Sequence, residues 1–169
     1  MPEPGLARDS DMTHERGRMR ALLRPITVPV IAGMRHPTRS DEAALAALMM
    51  RAYVGTIDYE GEDEADALVE VRHTLSGGKG TFLWSASNVI EREGVLASAT
   101  LVIRWQEQPL VAFTMTDARF KRQGLGRACM LNSMHSLHAA GEGELHLFVT
   151  LANDEAVSLY RSLGFVLQP

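Results

Sequence analysis

Two short stretches near the C-terminal end carry residue types that could do chemistry. The first is Lys121-Arg122-Gln123-Gly124-Leu125-Gly126-Arg127, two glycines among three cations. Glycine lets a backbone come close to a ligand. Free amides in the first turn of a helix, together with its dipole, favour phosphate oxygens. The expected ligand is a pyrophosphate. The second stretch runs from Asn153 to Phe165, with Ala156, Tyr160 and Gly164 between. Asn153, Ala156 and Tyr160 stand at i, i+3 and i+7, so a helix would put them on one face. That face carries an amide, a gap and a phenol, and a ligand could lie along it. The plainer alternative is a capped amphipathic helix with Tyr160 half-buried in the core.

A dinucleotide-binding fingerprint is the nearest competitor for the glycine loop, because Glu144 lies 20 residues beyond Gly124. The context disagrees. Cys129 stands at the third glycine position, and seven residues separate Thr116 from Gly124 where that fold makes a tight turn. Three antiparallel strands come first, rather than a strand–helix–strand unit.

These stretches need elements to position them. Residues 1–20 have little apolar content and read as a disordered tail, with one domain over 21–169. Ile26–Met34 is β-branched, but Pro25 and Pro29 limit it to a short or edge strand. Thr38 or Ser40 caps a helix ending near Gly55. Seven carboxylates fill Asp58–Glu70, and a second helix starts in its latter half. Strands are expected over Phe82–Glu91, Val95–Arg104 and Leu110–Thr116, joined as hairpins. A helix over Gly124–Ala140, a strand over Glu144–Thr150, a helix over Asn153–Leu163 and a short strand from Phe165 complete the order. This is a mixed α/β fold, a mostly antiparallel sheet with helices on both faces.

The chain has 169 residues, 46% apolar and 22% charged, with a formal net charge of −4. That charge argues against a general nucleic-acid binder. The single cysteine, Cys129, allows no internal disulfide and reads as a core-facing helix residue. No apolar run approaches the ~20 residues that span a bilayer, and the N-terminus does not resemble a secretory signal. A cytoplasmic protein is expected. His135, His138 and His146 lack ligand spacing beside other donors, so no metal is expected.

The two stretches together resemble the GNAT superfamily of acetyl-CoA-dependent N-acetyltransferases. Its second motif is matched at Asn153, Ala156, Tyr160, Gly164 and Phe165. In its first motif Gly124 and Gly126 match, while Lys121 replaces the usual Arg or Gln. Met34–Asp41 also resembles the family's first strand and helix. The resemblance covers about residues 30–167. It implies a sheet splayed between its fourth and fifth strands, with acetyl-CoA in the opening. Thr114, Met115 and Thr116 would pair with the pantetheine arm, and a bulge amide near Met115 or Thr116 would hold the thioester carbonyl. Lys121, Arg122, Gln123, Gly124, Leu125, Gly126 and Arg127 would hold the pyrophosphate. Asn153 would contact pantetheine, and Tyr160 would protonate the leaving thiolate. The implied reaction is direct acetyl transfer to a primary amine of a small molecule or peptide. The alternative is a non-catalytic acyl-CoA sensor or interaction module.

The base is open among Glu60, Glu62, Glu64, Glu107 and His73, or water. The carboxylate run motivates a cationic acceptor. Family members usually continue past Gly-Phe to a seventh strand, whereas only Val166–Pro169 follow Phe165 here. An uncovered sheet edge is disfavoured, so either Pro169 blunts it or another segment fills the place, Leu22–Ile31 being the best candidate, within its own chain or across a homodimer.

Overall fold

The computed structural model describes residues 15–169. The strands are β1 (Arg16–Leu22), β2 (Met34–Arg35), β3 (Asn88–Arg92), β4 (Val95–Trp105), β5 (Gln108–Thr116), β6 (Glu144–Thr150) and β7 (Val166–Leu167). The helices are α1 (Glu42–Tyr53), α2 (Glu64–Leu75), α3 (Leu125–Ala139) and α4 (Asp154–Ser162). The sheet order is β2-β3-β4-β5-β6-β1-β7. Every ladder is antiparallel except β5–β6.

The N-terminal expectation is corrected here. Residues 16–20 are not tail but most of β1, which pairs with β6 from Arg16↔Thr150 to Leu22↔Glu144 and with β7 at Met19 and Arg20. The rest of the expected tail, residues 1–14, lies outside the described residues. The place beside β6 is thus filled by Arg16–Leu22 and not by Leu22–Ile31. The prolines in the latter stretch leave it without a regular strand, and only Met34 and Arg35 pair with β3. β1 alternates: Met19 and Ala21 are buried, while Arg16, Arg18 and Arg20 face outward. Because β1 comes first in the chain, the expected fourth and fifth strands are β5 and β6.

The expected strand over Phe82–Glu91 is also shorter. Trp84–Ala86 forms a 3-10 turn, and Phe82 makes only an isolated bridge to Ile103. The Ser87 hydroxyl explains the turn: it donates to the Leu83 carbonyl and accepts from the Val102 amide.

β4 is buried on both sides and supplies both cores by its period of two. Ala99, Leu101 and Ile103 face α1 and α2, with Leu45, Leu48 and Val71. Val102 faces the other way, with Val111, Leu145, Leu147 and the α3 residues Met130 and Met134. Cys129 is buried in a third cluster with Ile90 and Phe120. Burial pushes its thiol up to about 12, although a hydrogen bond with Ser98 opposes the rise.

Candidate active site

The parallel ladder between β5 and β6 holds only Leu110↔His146 and Val111↔Leu147. Beyond those pairs the strands part, and a cleft of about 1750 Å³ opens between them. Its walls are the C-terminal half of β5, the end of β6, the first turn of α3 and one face of α4.

β5 presents its backbone to this opening. The Asp117 amide donates to Ala97 of β4 at 2.8 Å. By antiparallel alternation the Met115 amide then also faces β4, while those of Thr114 and Thr116 face the cleft. The bulge expected near Met115 or Thr116 sits earlier. Leu101 pairs with Phe113 and Val102 with Val111, so Ala112 is the extra residue. Met115 itself is buried, and its carbonyl accepts from Ser98 at 3.0 Å.

Asp117 fixes the turn from β5 into the glycine loop. It is 1% exposed and accepts from Arg51 Nε at 2.6 Å, the Arg119 amide at 2.9 Å and Arg119 Nη2 at 3.0 Å. Burial alone would raise its carboxyl, but the bonds from Arg119 and Arg51 outweigh that and hold it at about 2. The loop then uses left-handed backbone at Arg122 (φ 63°) and Gly124 (φ 76°), with Gly124 as the N-cap of α3. A Cβ on Gly126 would lie 3.2 Å from Thr116 Oγ1, so the absent side chain lets α3 approach β5.

Of the residues the sequence singled out, Thr114, Met115, Thr116, Lys121, Arg122, Gly124, Leu125, Gly126, Arg127, Asn153 and Tyr160 all line this cleft. Gln123 does not. Arg127 reaches across to α4, donating to Ser162 Oγ at 2.7 Å. Asn153 caps α4: its Oδ1 accepts from the Ala156 amide at 3.1 Å, and its Nδ2 donates to Asp58 at 3.0 Å. Tyr160 is 6% exposed and stacks edge-on with Phe165. Among the described residues no hydrogen bond holds its hydroxyl, which opens on the cleft. Burial pushes its phenol up, and the charge of Asp58 adds to the rise.

Three cleft residues were not legible as site residues in the sequence. Tyr53, at the end of α1, donates to the Thr114 carbonyl at 3.4 Å. Arg16 comes from β1, and Asp58 from the turn after α1. Helical periodicity reaches Tyr53, and Asp58 begins the acidic run, but only tertiary contacts bring them to one point. Among the expected base candidates, Glu60 and Glu62 line the cleft, whereas Glu64, Glu107 and His73 do not.

The acetyltransferase (GNAT) family model matches residues 44–165. No curated protein matches the chain. Among solved structures, the Escherichia coli ribosomal-protein-S18-alanine N-acetyltransferase is similar, with 22% identity over 78% of this chain and 75% of the other at a TM-score of 0.61. A GCN5-related N-acetyltransferase from Sphaerobacter thermophilus has 15% identity and a TM-score of 0.70 over 90% of this chain. This chain covers about half of that one, 48%. AAC(6')-Iy, in complex with the bisubstrate analogue CoA-S-monomethyl-acetylneamine, has 11% identity over 78% of this chain and 88% of its own at a TM-score of 0.59. At these identities the likeness is one of fold.

Proposed function

The chain belongs to the GNAT acetyltransferase family, and from that premise we propose that it transfers the acetyl group of acetyl-CoA to a primary amine by direct attack, with Tyr160 as general acid. The observation that carries this reading is Tyr160, a 6% exposed residue whose hydroxyl has no hydrogen-bond partner among the described residues and opens on the gap between β5 and β6. The core holds the Tyr160 ring while its oxygen stays reachable from the cleft, where a ligand can meet it.

Acetyl-CoA would supply an acyl carbon activated by its thioester. The chain's part is to bind, orient and move protons. Lys121, Arg122 and Arg127, with the amides of the Gly124–Gly126 turn, suit the pyrophosphate. The amides of Thr114 and Thr116 suit the pantetheine arm, which would complete β5 as a further strand does. Thr116 offers the amide for the thioester oxygen, a role that Met115 cannot fill because its amide faces β4. Asn153 acts on the cofactor through the α4 cap, since both ends of its side chain are engaged within the protein. Tyr160 delivers its proton to the leaving sulfur. Its raised pKa keeps it protonated at neutral pH, as a proton donor must be.

The test is thiol release from acetyl-CoA with a panel of primary amines. Tyr160→Phe should lower turnover about 10²–10⁴-fold with cofactor affinity unchanged. Equal turnover would reduce Tyr160 to a core residue. Calorimetric CoA binding without thiol release from any amine would leave a CoA-binding module.

A further inference from the structure

Met19 and Ala21 of β1 sit in one cluster with Met130 and Met134 of α3. By the period of two, Arg16, Arg18 and Arg20 then face the other side of the sheet. Directly opposite residues of an antiparallel pair share a face, which sets Thr150, Phe148 and His146 of β6 beside them. α1 and α2 cover this side over β3 to β5, and their cluster holds no residue of β6 or β1. A shelf is left next to the cleft. Its floor is Phe148, 38% exposed, with the Trp105 ring edge-on to it and 5.5 Å between centroids. Both rings line the cleft, and so does Arg16.

The three arginines of β1 are not equivalent. Arg18 donates from Nε to His146 Nδ1 at 3.2 Å and lies over the Trp105 ring at 6.0 Å. Arg20 pairs with Glu144 at 3.4 Å. The Arg16 guanidinium has no hydrogen bond or ion pair among the described residues. It stands opposite Thr150, but the Asp58 carboxylate there is taken by Thr150 and Asn153. Its charge is still felt in the cleft: burial pushes the Tyr53 and Tyr160 phenols up, and Arg16 opposes the rise in both. One unpaired guanidinium matches a monoanion such as a carboxylate, which it can hold by two parallel bonds. The cofactor pyrophosphate is not that anion, because α3 packs on the other side of the sheet from Arg16. Glu60, Glu62 and Asp66, around the start of α2, also line the cleft. The lining thus carries both signs of charge, which suits a zwitterion.

We propose that Arg16, Phe148 and Trp105 form the subsite for the non-reacting end of the acceptor, with Arg16 taking a carboxylate and the two rings a flat apolar group. The acceptor is then an amine that also carries a carboxylate and an aromatic ring, in its simplest form an aromatic amino acid. The subsite rests on the transfer reading only for naming its occupant the acceptor.

The probe is N-acetyl-L-phenylalanine, which has the ring and the carboxylate but no reacting amine. Its counterpart is N-acetylphenethylamine, the same molecule without the carboxylate. Each is titrated calorimetrically into CoA-loaded full-length protein. Wild type should bind the acid about tenfold or more tightly than the counterpart, as expected for a charge-assisted bond. Arg16→Gln should lose that preference by weakening on the acid alone, and Arg16→Lys should keep part of it. Phe148→Ala should weaken both ligands together. Arg20→Gln, on the same strand but outside the cleft, should match wild type. Unchanged counterpart binding and melting temperature in Arg16→Gln show that the fold is intact. Equal binding of acid and counterpart by wild type overturns the subsite, as does an undiminished preference in Arg16→Gln. Full binding of both ligands by Phe148→Ala overturns the part given to the rings. A preference that depends on Arg16, without thiol release from acetyl-CoA with any primary amine, L-phenylalanine included, supports the subsite and overturns the transfer reading instead.

Discussion

Asp117 is a buried carboxylate at the entrance to the glycine loop. It is buried, yet it remains charged because two guanidinium groups and a backbone amide converge on it. Asp117→Asn keeps the shape and removes the charge, leaving Arg51 and Arg119 without their counterion. Both arginines are partly exposed, at 31% and 58%, so water offsets some of the loss. The expected cost is about 1–3 kcal/mol, read as a melting temperature several degrees lower. The sign with pH follows from the depressed carboxyl. Its stabilisation is complete above the unfolded value of ~3.9 and is lost as pH falls through about 2. Wild type should therefore lose its advantage over Asp117→Asn between about pH 4 and pH 2. A constant difference in stability across that window would show that the ion pairs carry none of it. The contrast with Asp58 shows what is legible at this scale. Tyr160 and the glycine loop could be read because cap, small residue and phenol stand at fixed spacings in one helix. Asp58 lies 92 residues from Thr150, and no local spacing encodes that contact.

β1 is the element that composition hid. Arg16–Leu22 holds three arginines in seven residues, which by content reads as solvated tail. Its alternation is that of a strand with one wet face, and only Met19 and Ala21 mark the dry side. The need for something beside β6 was legible from the unpaired edge that the motif order left. The proline-bearing stretch after Leu22 looked more apolar and was the wrong candidate. The boundaries of α4 were easier, because the Asn153 cap and Gly164, at φ 93°, are local start and stop signals. Met19 tests the role of β1 in the core. It is 1% exposed among Leu145, Leu147 and Phe165 in one cluster, so Met19→Ala should cost about 2–5 kcal/mol. Arg20→Ala, on the opposite face and in an exposed pair with Glu144, should cost less than about 1 kcal/mol. Equal melting temperatures for the two variants would mean that β1 contributes no more than a surface strand.

At the scale of the molecule, the sheet is two parts joined by a narrow seam. β2 to β5 carry α1 and α2, while β6, β1 and β7 lie beyond the gap. The seam consists of two parallel pairs, the apolar cluster in which Met130 and Met134 of α3 sit with Val111 and Leu147, and the Asp58 carboxylate, which accepts from Thr150 and Asn153. Each part has its own antiparallel ladder, β1 on β6 in the far part and β4 on β5 in the near part. Beyond Val111, β5 therefore has a paired edge toward β4 and an open edge toward the cleft. A pantetheine arm on that open edge should act as the missing neighbour. Without ligand, the amides of Thr114 and Thr116 should exchange with solvent hydrogen much faster than that of Met115, which faces β4. Saturation with CoA at about 100 times its dissociation constant adds about 2.7 kcal/mol to any opening that must release it. Exchange at Thr114 and Thr116 should then slow by up to about 100-fold, while Met115 changes only as far as global unfolding does. If Thr114 and Thr116 exchange at the same rate with and without bound CoA, the cofactor does not lie along β5.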